Sequence, residues 1–305
     1  MDKIPNSLKI GTSSWKYESW QDIVYPEKHS KYFLNEYSEH FNTVEVDQWF
    51  WSLFRPNIAK LPKIEMAQNY NQAVPEDFRF AVKVPNSITL THFYKENKDD
   101  ELQENPYYLS NELFEKFLQR LEPMKDKIGP IIFQFRYLNK NMYKKQGDFM
   151  HDLSEFIKKC PEENDYFIET RNPNYLNKGY FIFLRDHGLY HTFLQGYYMP
   201  PIFRIYQTHK DLLQDKVAIR LHGTDRKKIE KKTGKNWNRI VEPHDHDISQ
   251  LKPMLEELIE NDFNVFLYVN NHYEGSAPLT IKRIKEKLTR DIDLSKINLD
   301  KVSLF

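Results

Sequence analysis

The sequence predicts an α/β fold, an eight-stranded parallel (β/α)8 barrel of the TIM type. Eight strand-like segments alternate with amphipathic helical segments along the 305 residues, which is typical of consecutive βαβ units. Eight is also the number of strands that closes such a barrel, and the length suits one domain over residues 1–305. An open doubly wound sheet is the weaker alternative, because no glycine-rich phosphate fingerprint follows the first strand.

Each strand is predicted from apolar residues that recur with a period of two. FRFAVKV at 78–84 and VAIRLH at 217–222 are the clearest cases, and a proline or a glycine follows each of them. The predicted strands are residues 8–12, 43–47, 78–84, 130–135, 165–170, 190–194, 217–222 and 264–270.

Apolar stripes with helical spacing predict helices at 29–40, 111–125, 147–159, 174–187, 248–261 and 279–288. Residues 52–72 also look helical, although Pro56 and Pro62 interrupt them. We expect loops at 86–94 and at 225–247. His244 and His246 lie in the second loop, which we interpret as a solvated loop because no acidic or cysteine partner stands at metal-ligand spacing.

Composition narrows the class of protein. The chain carries 44 basic and 44 acidic residues, so its formal net charge of zero gives no overall attraction to nucleic acid or to an anionic membrane. No apolar stretch is long enough for a membrane span or a signal peptide, so a cytoplasmic location is the expectation. Cys160 has no partner for an intrachain disulfide, and we expect a buried, inert thiol. The sequence specifies no oligomeric state.

Polar residues occupy one parity of the predicted strands, at or near their carboxyl ends. They are Glu45, Lys83, Gln134, Glu169, Arg171, Arg220, His222 and Asn270. In a closed barrel one parity faces inward and functional sites form at the carboxyl ends, so we expect these side chains to converge at one mouth. Charged groups on several strands cost too much for packing alone. The alternative is an internal network that satisfies itself without a ligand.

The residue types predict acid–base chemistry on a small anion. We assign catalysis to Glu45, Glu169 and His222, with His222 as a proton shuttle. Substrate binding is assigned to Trp15, Lys83, Gln134, Arg171, Arg220, Asn270 and Asn271. Lys83, Arg171 and Arg220 would clamp a phosphate or carboxylate. Glu169 would be held by an arginine, and Asp47, one step further out, could cancel the excess positive charge.

Other functions remain open at this stage. No cofactor is predicted, although Glu45, Glu169 and His222 could hold a divalent metal if the nearby cations did not oppose it. A nucleotide or nucleic-acid enzyme could stack bases on Trp15, Trp49 and Tyr273, but the neutral charge gives this no support. A non-catalytic sensor or partner protein would instead show an exposed apolar patch outside the cleft.

Seven ordered segments resemble a known family. They are GTSSWKYESW, FNTVEV, FRFAVKVP with ITLTH, IGPIIFQF, IETR, IRLHG and YVNNHYEGSAP, spread over residues 8 to 285. In these segments the chain resembles the YecE-like family, also called domain of unknown function 72. The resemblance implies an eight-stranded βα barrel and implies no established reaction. The chain departs from the family pattern at Arg136-Tyr137, where a proline pair is usual, and at Gln195-Gly196, where an Asp commonly ends the sixth strand.

Overall fold

Eight parallel strands close into a barrel in the computed structural model, which describes residues 5–95, 97 and 99–289. The order around the barrel is β1-β8-β7-β6-β5-β4-β3-β2, so consecutive strands are neighbours and every pairing is parallel. The strands are β1 Leu8–Thr12, β2 Thr43–Val46, β3 Arg79–Lys83, β4 Ile128–Phe135, β5 Tyr166–Thr170, β6 Tyr190–Gly196, β7 Lys216–Gly223 and β8 Asn264–Val269. This confirms the TIM-type barrel and rules out the open sheet.

Helices lie between the strands and cover the outside of the barrel. They are α1 Phe33–His40, α2 Ile64–Gln72, α3 Asn86–Thr89, α4 Asn111–Leu121, α5 Gln146–Ile157, α6 Lys178–Asp186, α7 Ile202–His209, α8 Arg226–Thr233, α9 Asp245–Glu260, α10 Asn271–Glu274 and α11 Ala277–Thr289. Polar caps begin several of them: Ser110 accepts from Leu113 N at 3.2 Å, and Asn177 accepts from Tyr180 N at 3.2 Å. None of the described helices is long and apolar enough to cross a membrane.

Three local predictions were wrong. Residues 52–72 are not one helix, because the region of Pro56 forms a two-stranded hairpin, Leu53–Phe54 with Ile58–Ala59, before α2 begins. The loop predicted at 86–94 contains the buried helical turn α3. The loop predicted at 225–247 contains α8, which Asp225 caps by accepting from Lys228 N at 3.0 Å.

The barrel closes at a narrow seam between β1 and β2. Within these two strands the pairing is Thr12 with Val44, and a Cβ added to Gly11 would lie 1.9 Å from Thr43 O, so this close approach needs a glycine. The Tyr37 hydroxyl, carried by α1, fills the gap. It accepts from Thr12 N at 2.9 Å and donates to Thr43 O at 3.0 Å, which satisfies backbone groups of both strands.

The barrel interior is apolar below its mouth. Inward residues from five strands form a small cluster of their own: Ala81, Ile132, Phe167, Ala218 and Tyr268. The larger core lies between the barrel and its helices and includes Val217, Ile219 and Leu221, the opposite parity of β7. Cys160 is buried, and burial raises the pKa of its thiol to about 12, in accord with the predicted inert cysteine.

Candidate functional site at the barrel mouth

Four strands bring polar residues to the mouth of the barrel in pairs two positions apart, the spacing at which side chains share one face of a strand. The pairs are Glu45 with Asp47, Gln134 with Arg136, Glu169 with Arg171, and Arg220 with His222. The second member of the first three pairs stands one residue beyond the end of its strand. Lys83 ends β3 between the first two of these strands. Hydrogen bonds bring together five of the eight residues predicted to converge, and Asn270 is not among them.

Five of these side chains are joined by hydrogen bonds into what we call the paired network: Glu45, Gln134, Glu169, Arg171 and Arg220. Arg220 binds both oxygens of Glu45, through Nε at 2.6 Å and Nη2 at 2.7 Å. Its Nη1 donates to Glu169 and, at 3.1 Å, to Gln134. Arg171 Nε completes the chain by donating to Glu169 at 2.6 Å.

The centre of the paired network is buried, and its charges shift the pKa values of Glu169 and Arg220. Glu45 and Glu169 are 0 % exposed and Arg220 is 1 % exposed. Burial alone would raise the pKa of Glu169, but Arg171 and Arg220 outweigh it and hold the pKa at about 2. Burial would likewise lower the pKa of Arg220, yet Glu169 and Glu45 raise it. The prediction that an arginine holds Glu169 is confirmed, and both oxygens of Glu45 are engaged by Arg220 as well.

Four further side chains stand at the same mouth outside the paired network; we call Asp47, Lys83, Arg136 and His222 the open groups. The two cations among them each contact an aromatic ring: Lys83 Nζ lies 4.0 Å from the Phe50 centroid, and the Arg136 guanidinium lies 5.1 Å from that of Tyr94. Within the described part of the chain, neither cation has a carboxylate within ion-pair distance.

The pKa values of three open groups are displaced. Burial and the neighbouring Glu45 charge raise the pKa of Asp47 to about 6. Burial and the Arg220 charge lower the pKa of Lys83 to about 8. Burial and then the Arg220, Arg171 and Lys83 charges lower the pKa of His222 well below its usual value, so this imidazole is neutral. Its Nε2 is buried and has no hydrogen-bond partner among the described residues.

The loop after β6 packs against His222 through Tyr197. Tyr197 lies against both His222, with ring centroids 5.9 Å apart, and the Arg171 guanidinium, 4.6 Å from its ring. Its backbone N donates to Gly223 O at 2.9 Å. Gly223 has φ +75°, and a Cβ there would lie 2.5 Å from His272 O, so only glycine lets the end of β7 pass this close to α10.

Three predicted binding residues have structural partners instead. Trp15 is buried and packs edge-on against Tyr70 at 5.1 Å, which fits an aromatic core better than a ligand-stacking wall. Asn270 caps α10 by accepting from His272 N at 2.9 Å. Asn271 is buried and accepts from Ala277 N at 2.8 Å.

The sixth strand contributes no charge to the mouth. Its last inward side chain with a Cβ is Leu194, because Leu194 pairs in register with the inward Arg220. Gln195 has the opposite parity and binds Ile202 N at 3.0 Å and Asp247 at 2.8 Å. In the described ranges, no group of three or more His, Cys, Asp or Glu side chains is arranged to hold a metal ion.

Sequence reasoning did not commit to Arg136 or Asp47 as site residues. The signal that finds them is the strand parity extended one step beyond the strand end: Asp47 follows Glu45 by two residues, and Arg136 follows Gln134 by two. Arg136 also stands at one of the chain's departures from the family pattern. Asp47 lay inside the predicted strand 43–47 and was interpreted only as a balancing charge, whereas Arg136 fell one residue beyond the predicted strand 130–135.

Exposed aromatic side chains surround the mouth; we call them the aromatic rim. They lie in the loops that follow β2, β3, β4 and β6: Trp51, Tyr94, Tyr137, Tyr197 and Tyr198. Trp51 contacts Tyr94 at 5.8 Å, and Tyr137 contacts Tyr198 at 6.4 Å. Trp51, Tyr137, Tyr197 and Tyr198 lie between a strand and the helix that follows it, and Tyr94 follows the helical turn α3; in a closed barrel these segments lie on the side of the mouth.

The chain matches the family model "Protein of unknown function DUF72" over residues 9–300. It belongs to the DUF72 family. UPF0759 protein YunF of Bacillus subtilis is 24% identical over 320 residues, covering 98% of this chain and all of YunF. UPF0759 protein YecE of Escherichia coli K12 is 26% identical over 178 residues, covering 56% of this chain and 51% of YecE.

Two solved DUF72 structures have the same fold. The Enterococcus faecalis protein superimposes with a TM-score of 0.67 at 18% identity, covering 92% of this chain and 95% of that one. The Thermotoga maritima protein gives a TM-score of 0.63 at 21% identity, covering 92% and 98%. These comparisons support the barrel and assign no reaction, so function must be argued from the site.

Proposed function

We propose that the barrel mouth binds a small anionic molecule, bearing a phosphate or carboxylate, and that the protein acts on it by acid–base catalysis. The observation that carries this proposal is the charge balance. The mouth holds the cations Lys83, Arg136, Arg171 and Arg220, and the carboxylates Glu45, Asp47 and Glu169. Among the described residues four cations face three carboxylates, and the cation that Arg136 adds has an aromatic ring beside it and no described carboxylate within ion-pair distance.

The geometry changes which residues we assign to the chemistry. Glu45 and Glu169 remain in the proposal as positioning residues, because Arg220 engages both and Arg171 engages Glu169 a second time. His222 loses its role as a proton shuttle, because burial and the neighbouring cations lower its pKa well below its usual value; it stays in the proposal as a neutral imidazole whose Nε2 has no hydrogen-bond partner among the described residues and can form one with a bound molecule. Asp47 takes the place of Glu45 as the acid or base, because its pKa of about 6 lies near neutrality.

The aromatic rim favours a second candidate, a nucleotide as the anion. Tyr94 and Tyr197 each present a ring beside an arginine at the mouth, and a ring with an attached phosphate would match both features. The stacking residues first predicted for a nucleotide, Trp15, Trp49 and Tyr273, are all buried. A nucleotide would therefore use the rim.

Calorimetric titration with sulfate tests the anion site. We expect binding to the native chain, and a loss of at least roughly 10-fold in affinity for Arg136→Ala, since a charge-assisted hydrogen bond contributes about 1.5–3 kcal/mol. Arg185→Ala is the matched control, because Arg185 is an exposed arginine on α6 that pairs with Asp186, and this variant should bind sulfate normally. Equal affinity of both variants would contradict the proposal.

The same titration distinguishes the two candidates and tests the acid–base groups. AMP should bind more tightly than ribose 5-phosphate if a base stacks on the aromatic rim, and equally if it does not.

Sulfate keeps its charge over the working pH range, so the protein alone sets the pH dependence of sulfate binding. Affinity should rise as pH falls through about 6, where Asp47 gains a proton, and fall above about 8, where Lys83 loses one. Asp47→Asn should abolish the acid limb.

A further inference from the structure

Among the residues that the structure describes, two lysines are buried, and they differ in their partners. Lys127, just before β4, is 3 % exposed, and its Nζ donates to Asn71 O at 2.8 Å and Val74 O at 2.9 Å and pairs with Glu76 at 3.1 Å. Lys83, at the end of β3, is 7 % exposed, and the described residues offer its Nζ the face of Phe50 but no hydrogen bond and no ion pair. Lys127 has the contacts of a structural lysine, and Lys83 does not.

The groups around Lys83 shift the pKa of its amine, and among the described residues none forms a hydrogen bond or an ion pair with Nζ. The charged and titratable groups that act on the Lys83 amine come from three strands. They are Glu45 on β2, Asp47 just after β2, Glu169 on β5, and Arg220 and His222 on β7. Glu45 and Glu169 are committed to Arg220, which itself opposes a second positive charge nearby. Lys83 is thus a buried amine beside a fixed guanidinium, an environment that favours the neutral, nucleophilic form.

We propose that Lys83 is the nucleophile of this site and condenses with an aldehyde or ketone group of the anionic substrate to form an imine. The proposal rests on the proposed function for its anionic substrate and adds the carbonyl group as the reacting centre. The open groups supply the parts that the reaction needs: an amine in Lys83, a proton carrier in Asp47, a hydrogen-bonding imidazole in His222, and an anion contact in Arg136.

The reaction balances without any other reactant. The lone pair of neutral Nζ attacks the carbonyl carbon, the π electrons move to oxygen, and that oxygen takes a proton while Nζ loses one, which gives a carbinolamine. A second proton on the hydroxyl lets the C–O bond break and water leave as the C=N bond forms. Asp47, whose pKa is about 6, can deliver this second proton, and its carboxylate can then take the remaining proton from Nζ, which leaves the neutral imine. The neutral His222 can form a hydrogen bond through Nε2 to the carbinolamine.

Pyridoxal 5′-phosphate with borohydride tests the proposal. The probe carries an aldehyde, a phosphate and an aromatic ring, and borohydride reduces any imine to a stable secondary amine that peptide mass mapping locates. At pH 7.5 an amine with a pKa of about 8 has roughly 100-fold more of its neutral form than an ordinary lysine. We therefore expect one dominant adduct, on Lys83, with a labelling rate that rises with an apparent pKa of about 8.

Control variants distinguish labelling that is specific to Lys83 from general labelling of lysines. Lys83→Arg keeps the charge and removes the primary amine, so the dominant adduct should disappear, while Lys127 should stay unlabelled in both proteins. Arg136→Ala keeps Lys83, so it should still be labelled by pyridoxal, which lacks the phosphate. Labelling spread over surface lysines with no enrichment at Lys83, or equal labelling of Lys83→Arg, would overturn the proposal.

Failure of the imine and failure of the anion site give different results. If sulfate binds in an Arg136-dependent way but Lys83 is not preferentially labelled, the imine is wrong and the anion site stands. If pyridoxal labels Lys83 as fast as its phosphate does, and sulfate gives no protection, Lys83 is the nucleophile but the substrate is not anionic.

Discussion

The paired network and the open groups occupy neighbouring positions on the same strands and yet have opposite properties. Arg220 and His222 are two residues apart on β7, but Arg220 has four hydrogen bonds to three side chains, and His222 Nε2 has none among the described residues. The difference teaches that burial of charge does not by itself indicate a reactive group. The paired network fixes the shape of the mouth, and the open groups are left to bind and react.

The largest expected effect is the loss of the central arginine. Arg220→Ala leaves Glu45 and Glu169 buried without their main counter-charge, so the free energy of unfolding should fall by about 3–5 kcal/mol in urea denaturation. Arg226→Ala removes an exposed i,i+4 pair with Glu230 and should cost less than about 0.5 kcal/mol. Similar small losses for both variants would mean that the network does not stabilise the barrel.

Acid should weaken the paired network through Glu169. Its folded-state pKa of about 2 lies below the ordinary value of 4.5, so its contribution to stability is complete above about 4.5 and is lost as pH falls toward 2. Urea denaturation at a series of pH values should show this slope in the native chain and a flatter one in Glu169→Gln. An identical acid slope in the variant would assign the loss to other carboxylates.

Among the open groups, Arg136 should matter for binding and hardly for stability. Arg136→Ala removes a partly exposed side chain whose contact is the Tyr94 ring, so the free energy of unfolding should change by less than about 0.5–1 kcal/mol. The same variant should lose sulfate affinity, as argued above. A large loss of stability with unchanged sulfate binding would mean that Arg136, like the paired network, has a structural role.

Sequence reasoning predicted the barrel and most of the mouth for physical reasons. The strands were found because inward and outward positions alternate, as in FRFAVKV, and that alternation also identified Glu45, Lys83 and Arg220. Helix α8 was missed because RKKIEKKT has so few apolar residues: Ile229 and Thr233 are its buried side chains. A charged segment with a single apolar residue shows no apolar periodicity from which a helix could be predicted.

Pairing at the mouth could not be predicted from the sequence. Alternation gives the face of each residue but not the stagger between strands, and the stagger decides that Arg220 reaches both Glu45 on β2 and Glu169 on β5. Without that information Glu45 looked like a free acid–base group. The register also decides that Gln195 lies outside the barrel, so the residue in place of the family's Asp has no part in the mouth's charge.

The most direct test of the distinction between structural and open charges is one substitution made at both buried lysines. Lys83→Met should raise the free energy of unfolding at pH 7 by about 1–3 kcal/mol, because it removes a buried charge whose pKa is lowered from 10.5 to about 8, and it should weaken sulfate binding. Lys127→Met should lower the free energy of unfolding, because two buried carbonyls lose their donor, and it should leave sulfate binding unchanged. Opposite signs at the two positions are the predicted result. Destabilisation by both substitutions, with sulfate affinity unaffected by Lys83→Met, would contradict it.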